Sequence, residues 1–146
     1  RSWVLATSSV QSLVRPVQST FAFLAVKLPD DVWQVVADYL LERRGIAAPP
    51  ALREWVENSL DIVLFDGGAI LAKNNEFDLF VVPEKRGKWR IRSVIGDFLN
   101  TMLAKHEKIV VKIYEDNTPS LRLAKGFGFK DVGRENGMIR LEKQHG

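Results

Sequence analysis

The 146-residue sequence predicts an α+β domain, a central sheet of about six or seven strands carrying four helices. Three observations predict it. Short β-type runs are interleaved with segments of helical periodicity. Two junctions between β-type runs, Asp66-Gly67-Gly68 and Asn136-Gly137, carry hairpin turn chemistry. A chain of this length with 46% apolar residues can also build one core without a metal or a disulfide.

Residues 2–18 are rich in Ser and Val around Pro16, which makes 1–19 an N-terminal arm or extra strand and 20–146 the domain. The apolar run TFAFLAVKL over 20–28 reads as a strand closed by Pro29. Asp30 and Asp31 then open a helix whose face is Val32, Val35, Val36, Tyr39 and Leu40, and which stops near Gly45. The AAPP stretch at 47–50 is a break before a second helix over 51–59, with Leu52, Trp55 and Val56 at helical spacing. Strands follow over 60–65, 69–72 and 76–82, joined by the Gly-rich turn and by Lys73-Asn74-Asn75. Pro83 ends the last of them. The loop 84–87 leads into a long helix with the apolar stripe Trp89, Val94, Ile95, Phe98, Leu99, Met102 and Leu103, leaving Lys105 and His106 exposed at its end. Residues 108–114, KIVVKIY, form a strand. Asn117-Thr118-Pro119 starts a short helix ending at Gly126, and Asn136-Gly137 folds the tail into an antiparallel hairpin.

Composition excludes several chemistries. With no cysteine there is no thiol catalysis, thiolate zinc site or iron–sulfur cluster, and two histidines, His106 and His145, cannot make a polyhistidine site, so no metal is expected. A net charge of +3 is too small to argue for nucleic acid as a partner. Thr7, Ser8, Ser9, Gln11 and Ser12 break the only weakly polar stretch near the start, and no run approaches the ~18 apolar residues of a spanning helix. A cytoplasmic location without membrane attachment is the expectation.

The stretch VPEKRGKWRIR over 82–92 carries the chemistry. Lys85, Arg86, Lys88, Arg90 and Arg92 crowd a helix start, where the positive end of the helix dipole disfavours cations, so an anion is expected there. A strand running into a Gly-containing loop and a helix N-terminus offers convergent N–H groups, and Arg and Lys add charge-assisted bonds, which together suit a pyrophosphate. A solvated basic face is the bland alternative. Two carboxylates, Glu76 and Asp78, stand two apart on one strand and hence share a face, where either could act as a general base. The face itself is undecided by sequence, and a strand-edge solvent role for Asp78 is the competing reading. His106 beside Lys105 suits capping of a helix C-terminus better than catalysis.

The order strand-helix-helix-strand-strand-strand-helix-strand-helix-strand-strand resembles the GNAT N-acyltransferases over roughly 20–144. So do VxPExRGK after the fourth strand and NTPSLRLAKGFGFKDVG after the fifth, with Asn117, Ser120, Leu123, Gly128 and Phe129 at the family's positions. The resemblance implies a mixed sheet whose fourth and fifth strands splay to admit acetyl-CoA. It places the pyrophosphate on Arg86, Gly87, Lys88, Trp89 and Arg90, with Asn117 and Ser120 beside the cofactor. A backbone N–H of Val81 or Val82 would polarise the acetyl carbonyl, since Pro83 has none. Departures from the family pattern are Trp89 and Ile91, where two glycines usually stand, and Ala124, where a Tyr usually protonates the departing thiolate. Tyr114 is the replacement acid the sequence offers, against a packing role with a wet tip. Trp89 is expected to be partly buried and to narrow the phosphate groove.

The implied function is an acetyl-CoA-dependent N-acetyltransferase using direct attack by an amine-bearing acceptor of unknown type. Its loop variant and missing Tyr also resemble the divergent GNAT-like proteins of tailed bacteriophages. That makes a non-catalytic structural or interaction protein the alternative, located in a virion and partnered by virion components or a second copy of the chain.

Overall fold

The computed structural model describes the main chain of Val4–Leu5 and residues 26–145, the latter with side chains except that of Trp89. Of the strand expected over 20–28, residues 20–25 lie outside the described residues and 26–28 run without regular structure into the first helix. The elements are β1 (Val4–Leu5), α1 (Asp30–Arg44), α2 (Pro50–Ser59), β2 (Asp61–Phe65), β3 (Gly68–Lys73), β4 (Glu76–Val81), α3 (Trp89–Leu103), β5 (Lys108–Tyr114), α4 (Thr118–Gly126), β6 (Lys130–Glu135) and β7 (Met138–Gln144). The turn chemistry holds. Asn136 and Gly137 both take positive φ, 51° and 78°, as a two-residue hairpin of the predicted type requires, and Gly45 closes α1 at φ 65°.

The sheet runs β2-β3-β4-β5-β7-β6, with β1 added beside β4. Its pairs are antiparallel except β4 with β5, whose parallel pairing is confined to Glu76 opposite Val110. Beyond that point the two strands part, and the sheet opens into a wedge.

Alternation along β4 builds two cores. Phe77, Leu79 and Val81 face α3 and α4, while Phe80 and Val82 face α1 and α2 together with Val32, Val35, Val36, Tyr39 and Leu40. The buried stripe of α3 is Ile91, Ile95, Leu99 and Met102, spaced i, i+4, i+8 and i+11. Val94 and Phe98, expected in the stripe, are only half-buried at its margin, so the helix is turned by part of a residue from the sequence reading. Lys105 is exposed as expected. His106 is half-buried, its N–H donating to Met102 C=O at 2.9 Å. Among the described residues, no helix is long and apolar enough to cross a membrane.

Candidate active site

One hydrogen bond orients the main chain of β4. Val82 N–H donates to Gly67 C=O at 2.8 Å, and in an antiparallel ladder this alternation turns the backbone groups of Phe80 and Asp78 toward β3 as well. Those of Phe77, Leu79 and Val81 therefore point the other way, toward β5, in agreement with Val110 N–H donating to Asn75 C=O at 2.9 Å. Beyond the single β4–β5 pair, Leu79 and Val81 thus turn their main chain into the wedge. Of the two amides expected to polarise an acyl carbonyl, Val82 is already committed to the β3 ladder and drops out. Val81 has the right direction, and its C=O accepts from Arg86 Nε at 3.0 Å.

The same alternation decides the face of the two carboxylates. Glu76 and Asp78 share with Phe80 the side that packs on α1 and α2, and the β5 residues Val110, Lys112 and Tyr114 lie on that side too. Asp78 is completely buried, which removes the reading of a solvent residue at a strand edge. Glu76 is one-third exposed, and Lys112 Nζ lies 3.6 Å from its carboxylate. Tyr114 is held by the end of α1: Arg44 Nη1 donates to its hydroxyl at 3.3 Å, and the Arg43 guanidinium lies 4.7 Å from its ring centre. Arg43 is fixed in turn by Asp116 at 2.7 Å, and this carboxylate raises the already high pKa of the guanidinium. Sequence reasoning missed this clamp on Tyr114. The paired arginines closing α1 were its only signal.

The basic stretch divides between two clefts. Residues Pro83–Lys85 form a short 3-10 turn where a plain loop was expected, and Gly87 follows with φ 79°. Nothing lies within 4 Å of where a Cβ at Gly87 would stand, so glycine serves the left-handed conformation there, not a close approach. Lys85 pairs with Asp66 at 2.9 Å. Lys88 and Arg90 line a cleft of about 350 Å³ at the N-terminus of α3, together with Phe65, Asp66, Ile91 and Val94. Arg86 turns to the other side, where a cleft of about 400 Å³ separates α1 from the end of β4. Burial lowers the Arg86 pKa from its ordinary value. Ile91, read as replacing a phosphate-binding glycine, is buried on the sheet face of α3 and contributes to the floor of the cleft at the N-terminus of α3. The expected narrowing by Trp89 concerns a side chain outside the described residues.

Asn117 and Ser120 have a structural task. Asn117 Oδ1 accepts from Ser120 N–H at 3.4 Å and caps α4, and both residues are buried. Asn117→Ala is expected to cost about 1 kcal/mol of stability in urea denaturation. Ala124 is buried in the core beside Leu123.

No family model matches this sequence, and no curated protein matches it either. Solved structures to which the chain is similar include three described as acetyltransferases. A chimera of the Vibrio cholerae spermidine N-acetyltransferase SpeG and hSSAT is 22% identical with a TM-score of 0.47, over 53% of this chain and 58% of that one. A second such chimera is 15% identical at TM-score 0.47, over 99% and 96%. A Bordetella pertussis protein described as a GnaT-family acetyltransferase is 14% identical at TM-score 0.47, over 98% and 97%. The chain therefore spans little more than half the length of the first.

Proposed function

We propose that this chain is an acetyl-CoA-dependent N-acetyltransferase in which an acceptor amine attacks the thioester directly. The observation that carries the proposal is the wedge between β4 and β5, into which Leu79 and Val81 turn their main chain, with a basic helix N-terminus following at its open end. Acetyl-CoA would supply the activated acyl group. The Val81 N–H is the donor for the carbonyl oxygen, which accumulates negative charge as the amine adds. The amides of residues 87–90, with the Lys88 and Arg90 side chains, hold the pyrophosphate. Asp78, or Glu76 in its place, takes the proton from the amine, and the clamped Tyr114 is the acid for the leaving thiolate. The proposal includes a cytoplasmic location and an amine-bearing acceptor of unknown type, without nucleic acid.

A second reading has its own observation. β1 pairs with β4 inside the wedge, and Ala124 offers no acid, as a GNAT-like protein without turnover would show. A virion component or a self-associating interaction protein belongs to this reading. Thermal denaturation with acetyl-CoA separates the two. At 100 times its dissociation constant the ligand should stabilise the fold by about 2.7 kcal/mol. An unmoved transition at millimolar acetyl-CoA contradicts the enzyme.

A further inference from the structure

The edge of β4 that faces the wedge already carries a strand. Val4 lies opposite Phe80 and Leu5 opposite Leu79, antiparallel, and β1 also approaches β5 and α4. The hydrogen-bonding phase of β4 fixes what this pairing uses. Since Phe80 directs its backbone groups to β3, the Val4–Phe80 pair is the one without hydrogen bonds, and Leu5–Leu79 is the bonded pair. Leu79 thus spends its wedge-facing N–H and C=O on the N-terminal arm of its own chain. Strand addition of this kind is held by main-chain bonds, so it is indifferent to what the added chain is, provided that it is extended and carries amides at matching spacing.

We infer that the arm around Val4–Leu5 is an intramolecular competitor for the acetyl-CoA site: the wedge binds either β1 or the amide-bearing arm of the cofactor, and the chain must release β1 before acetyl-CoA can enter. The inference rests on the acetyltransferase reading of the wedge. Its thermodynamic consequence is that the apparent dissociation constant for acetyl-CoA is raised by the reciprocal of the fraction of molecules whose wedge is open. A chain paired nine-tenths of the time binds about tenfold more weakly than one without the arm in place. The contact is autoinhibitory and is relieved by anything that captures the arm.

Leu5→Pro tests this in the full-length chain, because it deletes the one arm N–H that the register directs at β4. Two quantities are measured: acetyl-CoA affinity by calorimetry, and hydrogen exchange of the Leu79 amide without ligand. The expected result is at least tenfold tighter acetyl-CoA binding by the variant, together with faster exchange at Leu79. Equal affinity in parent and variant overturns the competition while leaving the acetyltransferase reading in place. Failure of both chains to bind acetyl-CoA overturns that reading and the competition with it. Should Leu5→Pro not melt cooperatively, Leu5→Gly keeps the N–H, loosens the strand and is read in the same titration, with about threefold tightening expected.

Discussion

Phe77→Ala should lower the free energy of unfolding by about 3–5 kcal/mol, a large share of the stability of an ordinary domain. Phe77 is fully buried near the start of β4, on the face toward α3. Its ring meets Phe98 edge-on at 5.1 Å and 64°, and Phe129 at 6.3 Å. Those rings come from α3 and from the turn after α4, so the space left by the substitution is walled by two separate elements besides β4 itself, which cannot all move inward. Phe98, expected from the sequence in the sheet-facing stripe of α3, is half-buried and should lose less than Phe77. Urea denaturation of the two variants gives the order directly. A Phe77→Ala loss below about 1 kcal/mol, or the reverse order, contradicts this account of the core.

Asp78→Asn should reduce acetyl transfer by 10²- to 10⁴-fold, the usual worth of a positioned general base, while leaving acetyl-CoA affinity within about twofold. Asp78 sits between Phe77 and Leu79 with no exposed surface, at a position where the flanking residues are all apolar. Burying a carboxylate is costly, and packing alone would be served better by Val or Ile, so the side chain is kept for its polar chemistry, which under the proposed function is that of the base. Asn keeps the shape and one acceptor oxygen, and loses the charge and the ability to accept a proton. Steady-state kinetics alongside calorimetry separates the outcomes. Turnover within tenfold of the parent moves the base to Glu76, whose carboxylate lies near Lys112 at the exposed end of the same face.

The fold was legible because its punctuation is local. Asn136-Gly137, Asp66-Gly67, Pro83 and Pro119 set the element boundaries by backbone geometry alone, and the α1 stripe follows from spacing. The rotation of α3 was not legible. Its apolar residues, Ile91, Val94, Ile95, Phe98, Leu99 and Met102, cover an arc wider than one face, and only the partners on the sheet choose Ile91 over Phe98. Of the candidate site, the sequence offered residue types on β4, β5 and the basic stretch, but not their geometry. That Glu76 and Asp78 face α1, that Val82 is taken by Gly67, and that Asn117 caps Ser120 are all consequences of strand phase and local hydrogen bonding. Sequence carries no mark of strand phase when both faces are buried and apolar, as they are along 77–82 apart from Asp78. The placement of β1 against β4 was equally invisible, because strand addition uses main-chain groups common to every residue.

An amide-resolved NMR titration of the full-length chain with acetyl-CoA tests the central claim most directly. The account predicts saturable binding in which the largest shifts fall on the amides of Leu79 and Val81 in the wedge and of residues 87–90 at the start of α3, with Phe80 and Val82 moving less because they bond to β3. Saturable binding that leaves Leu79 and Val81 unmoved, or the absence of binding at millimolar acetyl-CoA, would contradict it.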